Sequence, residues 1–279
     1  MQKITRTALG AQLQTNHFLK LPHIVSPNTT LNQKFDIHNN IALTEDDMPS
    51  ADYYAIGNGG HAYTIGINNI PLIDPVLHKS RSAALYSHLP FVLRLPTDDL
   101  SPTQRNNYRL RKNITIGSQT YIAYYLRKID KTNTESTLQL KEVVDDVVTS
   151  TPFAHTLQDL SPTPPVIDNE GNNTTTGNYL SATARITFSM NEFDITEFLN
   201  VANIMYNDDS YAIISEIALC SGVDRTVNGV FNGINSSYVE AIGVQCASFI
   251  NSMFMAKFMG SSFNIEMDVG STEPLLFDN

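Results

Sequence analysis

The stretches YAIISEIALC at residues 211–220 and VEAIGVQCASF at residues 239–249 decide the fold. Both are strongly apolar, and each predicts a strand. Shorter segments on either side predict further strands and a few short helices. We therefore predict a β-dominated α+β fold with mostly antiparallel sheets, a few short helices and an extended N-terminal arm.

Local signals place several of the remaining elements. Ser101 with Pro102 and Gln104 has the pattern of a capping box and predicts a helix over about residues 102–109. Strands are expected at 112–116 and 121–129. Upstream, the turn GNGG at 57–60 separates two strand-like segments, 53–56 and 62–65, and predicts a hairpin between them.

A second helix is expected in the last third of the chain. Asp194 with Glu197 resembles a capping box. The apolar residues from Ile195 to Met205 then recur at the spacing of one helix face, which predicts an amphipathic helix.

Composition shifts divide the chain into four consecutive segments. Residues 1–50 predict an extended arm, for which a neighbouring subunit is the expected support, and residues 51–148 a β-rich basic domain. Residues 149–179 are rich in Pro, Asn and Thr, which is typical of a linker. Residues 180–279 predict an acidic α+β domain.

Charge is distributed unevenly along the 279 residues. Residues 1–141 have 15 Lys and Arg against 10 Asp and Glu (net +5), whereas residues 142–279 have 3 against 18 (net −15). A chain with one basic and one acidic half is suited to stacking on copies of itself. The alternative is that two solvated faces merely differ in charge, because salt screens such fields within about 8–10 Å.

The residues that usually carry catalysis form no recognisable set. The seven histidines lack the spacing of a helical zinc site, and there is no phosphate loop and no nucleophile elbow. Cys220 and Cys246 lie in apolar strands, where they either face each other across a sheet or remain buried thiols. We therefore expect no enzyme activity, cofactor or metal. We also expect no secretory signal, because residues 1–20 lack an apolar core followed by small residues. We expect no membrane anchor either, because no stretch approaches about 18 uncharged apolar residues.

One basic cluster stands out as a candidate contact surface. Arg105, Arg109, Arg111 and Lys112 surround Tyr108. Such a cluster suits either the phosphate backbone of DNA or an acidic patch on the next subunit.

Two other functional classes remain open. A receptor- or glycan-binding tail appendage would use a surface of stacked tyrosines, for which the candidates are Tyr53, Tyr54, Tyr121, Tyr124 and Tyr125. Core packing is the alternative role for these rings. A polysaccharide or cell-wall hydrolase would need two facing carboxylates, which sequence alone cannot identify.

Several stretches resemble a family of structural proteins of tailed bacteriophages. They are LPFVLR at 89–94, YRLR at 108–111, YIAYY at 121–125, SEIALCSGVD at 215–224 and DVGSTEPLL at 268–276. The context suggested by the resemblance is that of the short-tailed N4-like phages.

The resemblance implies a virion component at the neck, connector or tail, near the head–tail junction. It implies a homo-oligomeric ring that contacts portal, connector or tail subunits and meets passing DNA without sequence preference. It implies no catalytic residues. The expected location is the virion, assembled in the host cytoplasm.

Overall fold

The computed structural model describes residues 3–145, 147–164, 167, 175–231, 234–258, 260 and 262–276. Strands make up 51% of the described residues and helical segments 20%. The described strand pairings are antiparallel. The prediction of a β-dominated α+β fold with antiparallel sheets and short helices is therefore confirmed.

Fourteen strands are found in the described residues. They are β1 Lys3–Arg6, β2 Ser50–Gly57, β3 His61–Ile65, β4 Pro71–Pro75, β5 His88–Leu89, β6 Val92–Arg94, β7 Tyr108–Ile116, β8 Gln119–Lys128, β9 Ser136–Val144, β10 Val147–Pro152, β11 Thr175–Met190, β12 Ile213–Phe231, β13 Ile234–Met255 and β14 Phe263–Leu276.

Four α-helices accompany the strands in the described residues. They are α1 Ala8–Leu19, α2 Leu31–Phe35, α3 Pro102–Arg105 and α4 Glu192–Tyr206. Short 3-10 segments lie at Pro27–Thr29, Ile67–Asn69, Leu157–Leu160, Asp209–Tyr211 and Ala256–Phe258.

The capping signals are only partly confirmed. Ser101 and Gln104 form the predicted capping box of α3, although this helix ends at Arg105. Helix α4 begins one turn earlier than predicted, because Asn191 is its cap and Asp194 is the acidic partner inside the box. Glu197 instead accepts hydrogen bonds from the Arg94 guanidinium.

The chain divides into two compact units. The first contains Met1–Ile129 and Ser189–Asn264. Its sheet has the order β1-β13-β12-β2-β8-β6, with β5 paired to β2 and β7 paired to β8. In β13 every residue from 240 to 250 is buried. The apolar run quoted at the outset is thus the centre of this sheet.

The core of the first unit is built around β12 and β13. Cys220 and Cys246 are cross-strand partners in it, with their sulfur atoms 3.9 Å apart and both thiols free. They therefore face each other and also remain reduced, which combines the two alternatives left open by the sequence. Burial raises the pKa of the Cys220 thiol well above its usual value.

The second unit contains Asp130–Phe188 and Ile265–Asn279. Its sheet has the order β10-β9-β11-β14. The Arg185 side chain is exposed and donates to Asp268 at 2.9 Å. The Pro-rich segment 149–179 belongs to this unit by sequence range, and part of it lies outside the described residues.

These units differ from the consecutive segments expected from composition. Strand β12 comes from the acidic half of the sequence, yet it pairs with β2 from the first half. Long-range strand pairing therefore joins the two halves in one sheet. As a result the first unit has 15 Lys and Arg against 16 Asp and Glu (net −1), and the second has 3 against 12 (net −9).

This regrouping changes the interpretation of the charge split. Basic residues of the first half are neutralised inside the first unit by acidic residues of the second half. Arg109 pairs with Asp224 and Arg127 pairs with Asp194. The first unit therefore has no large net charge of its own, and the excess negative charge belongs to the second unit.

The N-terminal segment is supported by its own chain. Strand β1 pairs with β13, and the Thr7 side chain both caps α1 and donates to the backbone oxygens of Cys246 and Ala247. Leu13 and Leu31 are buried. We expected a neighbouring subunit to hold this segment, but β13 does so. The apolar residues of α1 show no sustained helical period, because the helix presents one buried residue to the sheet.

Candidate functional site

The predicted basic cluster is used mainly inside the fold. Arg109 is buried and donates two hydrogen bonds to Asp224, at 2.7 and 3.0 Å. Arg111 pairs with the buried Asp99 at 3.1 Å. Lys112 donates to the backbone oxygen of Phe35.

Arg105, the remaining member of the cluster, is half-buried at the end of α3. The four side chains therefore do not form the open basic surface that a phosphate backbone needs. The reason is that Arg109, Arg111 and Lys112 have partners inside the fold. Asp224, the partner of Arg109, comes from the second half of the sequence, so the spacing of the basic residues could not indicate it.

Asp224 illustrates how strongly these pairs are held. Burial opposes its ionisation, but hydrogen bonds from Arg109, Lys128 and Tyr53 outweigh that effect and hold the pKa of Asp224 far below its usual value.

Tyr53, Tyr54 and Tyr124 are fully buried. These three rings are thus core residues, and the tyrosine surface of a glycan-binding module is not present in them.

Glu240 is a buried carboxylate of a different kind. It lies in β13 and accepts backbone N–H groups of Leu110, Arg111 and Ala241, at 2.6, 2.9 and 2.8 Å. Leu110 has a positive φ of 53° and is fully buried. Burial raises the pKa of Glu240 to about 7, against the opposing effect of these hydrogen bonds and of Arg109.

No group of three or more His, Cys, Asp or Glu side chains that could hold a metal ion is found in the part of the chain that the structure describes. His78 contacts Glu216, and His23 contacts Gln245 at 3.0 Å.

The most unusual surface is the hairpin of β3 and β4. Its two strands pair antiparallel, with Tyr63 opposite Ile73 and Ile65 opposite Pro71, so these residues share one face. We define the hairpin surface as six apolar residues, each between 47% and 86% exposed: Tyr63, Ile65, Ile67, Ile70, Leu72 and Ile73. Exposed apolar groups concentrated in this way indicate an interaction surface.

The predicted hairpin differs from the one observed. The GNGG turn joins β2 to β3, but β2 pairs with β12 whereas β3 pairs with β4. The glycines serve close packing instead. A Cβ on Gly60 would lie 2.2 Å from the backbone oxygen of Ser215. After this turn the chain leaves the sheet that contains β2, and β3 and β4 then form the hairpin.

Glu216 of β12 fixes both ends of this hairpin to the sheet. One carboxylate oxygen accepts the backbone N–H groups of Gly59 and Ser87, at 2.9 and 2.8 Å. The other accepts from Tyr86 N–H at 3.0 Å and lies 2.8 Å from His78 Nε2. The carboxyl group is fully buried yet hydrogen-bonded to segments before and after the hairpin, which accounts for a Glu in an apolar strand.

Further bonds complete the base of the hairpin. Val76 N–H donates to the Gly60 oxygen at 2.9 Å, and the Asn251 side chain donates to the Val76 oxygen at 2.8 Å. The His78 ring is stacked on Phe249, with the ring centres 4.0 Å apart. The base is therefore rigid while the apolar strands and tip project from it. The sequence signal for this anchor was a single Glu within the apolar run 211–220.

A second apolar surface lies along α1. A groove of about 710 Å³ is lined in part by Arg6, Ala8, Ala11, Thr15, Phe18 and Ser80, and we call it the helix groove. The helix lies directly on β13. Gly10 allows this close approach, since a Cβ at this position would lie 2.2 Å from the Ala247 oxygen. Phe18 is 86% exposed.

The fold and surfaces define a β-dominated α+β protein with two exposed apolar surfaces on one compact unit. Residues 1–279 match the family described as a family of unknown function, DUF7208, and the chain belongs to that family. No curated protein and no solved structure matches the chain. Within the described residues, none of the helices combines the length and apolar character needed to cross a membrane.

Proposed function

We propose that this protein is a structural subunit of a tailed-phage virion. In this proposal, copies of the chain assemble into a ring at the neck, connector or tail and help to form the passage for DNA. The observation that carries the proposal is the hairpin surface, where six large apolar side chains are presented on a rigidly anchored hairpin. An apolar surface of this kind favours association with another protein surface, since water contact is costly for it.

The distribution of charge suits the DNA passage. The second unit has a net charge of −9 and the first unit is close to neutral. A negative surface repels the phosphate backbone, so DNA slides past without being held. The resemblance of the sequence to structural proteins of tailed phages supports the virion context.

Sedimentation of the purified protein tests the assembly. We expect species much larger than 31 kDa that grow with concentration, alone or with purified portal or tail rings. Antibody labelling of intact virions should mark the head–tail junction or tail. Strict monomers under all these conditions, together with absence from purified particles, would contradict the proposal.

A gel-shift titration with duplex DNA tests the passage. Little retention is expected even at low salt, because like charges repel. Tight, salt-dependent binding would be incompatible with an acidic lining.

A further inference from the structure

We infer that the hairpin surface of one copy docks into the helix groove of a second copy. This inference rests on the proposed function and names the contact through which the subunits associate. The hairpin surface and the helix groove are formed by different residues of the first unit. A contact between them is therefore heterologous, and its repetition closes a ring when the rotation between neighbouring copies divides a full turn evenly.

The exposure of the hairpin shows that its own chain does not cover it. Ile65 and Ile67 at the end of the hairpin are 79% and 86% exposed, and Ile70 is 58% exposed. In the groove, Phe18 is 86% exposed. Both surfaces are thus free to meet a second copy.

The size of the hairpin surface matches a protein interface. Leu72 lies on the opposite face of β4 from Ile73, so five apolar residues, each exposing on the order of 100 Å², present on the order of 500 Å² to one partner. A standard interface buries about 800 Å² on each partner. Polar neighbours of the hairpin would supply the remainder, so the apolar residues form the centre and the polar residues form the rim.

The charges of the two surfaces are compatible. Residues 61–75 contain Asp74 and no Lys or Arg, whereas Arg6 lines the groove and residues 3–20 contain no Asp or Glu. No like charges meet when the hairpin enters the groove. The open edge of β1 is less suited to pairing with the hairpin, since Lys3 and Arg6 at its ends oppose strand addition.

Both partners are pre-organised for the contact. Glu216 and the surrounding hydrogen bonds fix the base of the hairpin, and α1 is fixed on β13 through Thr7. Ordering costs on association are low when the contacting elements are already held in place.

Site-specific crosslinking tests the contact directly. We would prepare Ile67→Cys at the hairpin tip and Thr15→Cys in the groove, as separate full-length proteins, and treat their mixture with a short bismaleimide. Cys220 and Cys246 are buried and need no replacement, so the wild-type chain serves as the control. We expect a crosslinked dimer in the mixture that contains one copy of each variant.

The separate proteins provide the decisive comparison. Ile67→Cys alone should give at least tenfold less dimer than the mixture. Efficient crosslinking of Ile67→Cys with itself would show a hairpin-to-hairpin contact and overturn the inference. Oligomers in sedimentation without the mixed crosslink would also overturn it, while leaving the proposed function standing.

Charged substitutions give an independent test in solution. Ile67→Asp and Phe18→Asp should each weaken self-association at least tenfold. Matched controls are Leu157→Asp, which replaces a residue 84% exposed in the second unit, and Gln12→Asp, an exposed α1 residue outside the groove lining. Circular dichroism checks that each variant is folded.

Mixing the two interface variants tests the head-to-tail geometry. Ile67→Asp keeps its groove and Phe18→Asp keeps its hairpin, so one intact contact joins one copy of each. The mixture should stop at dimers. Weakening by the control substitutions to the same degree, or unchanged assembly of both interface variants, would overturn the inference.

Discussion

Replacing Glu240 by Gln removes a titrating carboxyl group from the centre of the first unit while preserving its shape. Burial raises the pKa of this group in the folded protein from 4.5 to about 7. The folded state therefore binds a proton more tightly than the unfolded state does. Gln resembles the protonated side chain in charge and size, and so represents the low-pH form at every pH.

The sign and size of the change in the free energy of unfolding follow from the difference in the pKa of Glu240 between the folded and unfolded states. For a carboxyl group with a raised pKa, the stabilising contribution is complete below pH 4.5 and is lost as the pH rises through 7. A difference of about 2.5 pH units corresponds to about 3 kcal/mol in the free energy of unfolding. Relative to Glu240→Gln, the wild-type protein should lose about this amount between pH 4.5 and pH 8.

Urea unfolding at several pH values measures this difference. The chain has no Trp, so near-ultraviolet circular dichroism of the buried tyrosines is the suitable signal for the first unit. His88 also affects the pH profile, because burial lowers its pKa to about 3. Its contribution is common to both proteins and cancels in the difference. Glu45→Gln, at an exposed glutamate of the same unit, is the matched control.

A flat difference between the wild-type protein and Glu240→Gln over this pH range would refute the reasoning. It would mean that the backbone N–H groups of Leu110, Arg111 and Ala241, with the charge of Arg109, keep the carboxylate ionised in spite of burial. A slope of the opposite sign would lead to the same conclusion. A similar slope in Glu45→Gln would show that the effect is not specific to the buried group.

Three further predictions concern packing, ion pairs and thiols. Gly10→Ala should destabilise the protein by about 1–3 kcal/mol in thermal unfolding, because the added methyl group meets the backbone of β13; an unchanged Tm would contradict this close approach. Arg127→Leu should cost about 3–5 kcal/mol by leaving a buried carboxylate unpaired, whereas Arg185→Ala on the surface should leave Tm unchanged. Cys220 and Cys246 should resist maleimide in the native protein and both react in urea; rapid native labelling would show that they are accessible.

The sequence predicts elements whose signals are local. The apolar run 239–249 indicated β13, and Ser101 with Gln104 indicated the start of α3. The sequence pattern is weaker for elements whose structure depends on tertiary contacts. Helix α1 has a single buried residue and depends on the Thr7 contacts with β13, so its own periodicity could not reveal it.

The candidate site was harder to predict for the same physical reason. The spacing of the basic residues around Arg109 predicts a contact surface, because Asp224, the partner of Arg109, lies 115 residues away in the sequence. The anchoring role of Glu216 depends on segments on both sides of the hairpin that meet only in the folded chain. The sequence signal for this role is an isolated Glu within an apolar strand. Such a residue indicates a buried carboxyl group with hydrogen-bond partners, but it does not identify those partners.

The pairing of β1 with β13 also has a consequence for how the chain is made. Lys3 lies opposite Asn251, so the first strand emerges from the ribosome long before its partner is synthesised. Strand β2 is likewise synthesised long before its partner β12. Contacts of such large sequence separation fold slowly and late. The sheet that supports both α1 and the hairpin is thus completed only after β13 has been translated, so shorter nascent chains lack the support on which both surfaces depend.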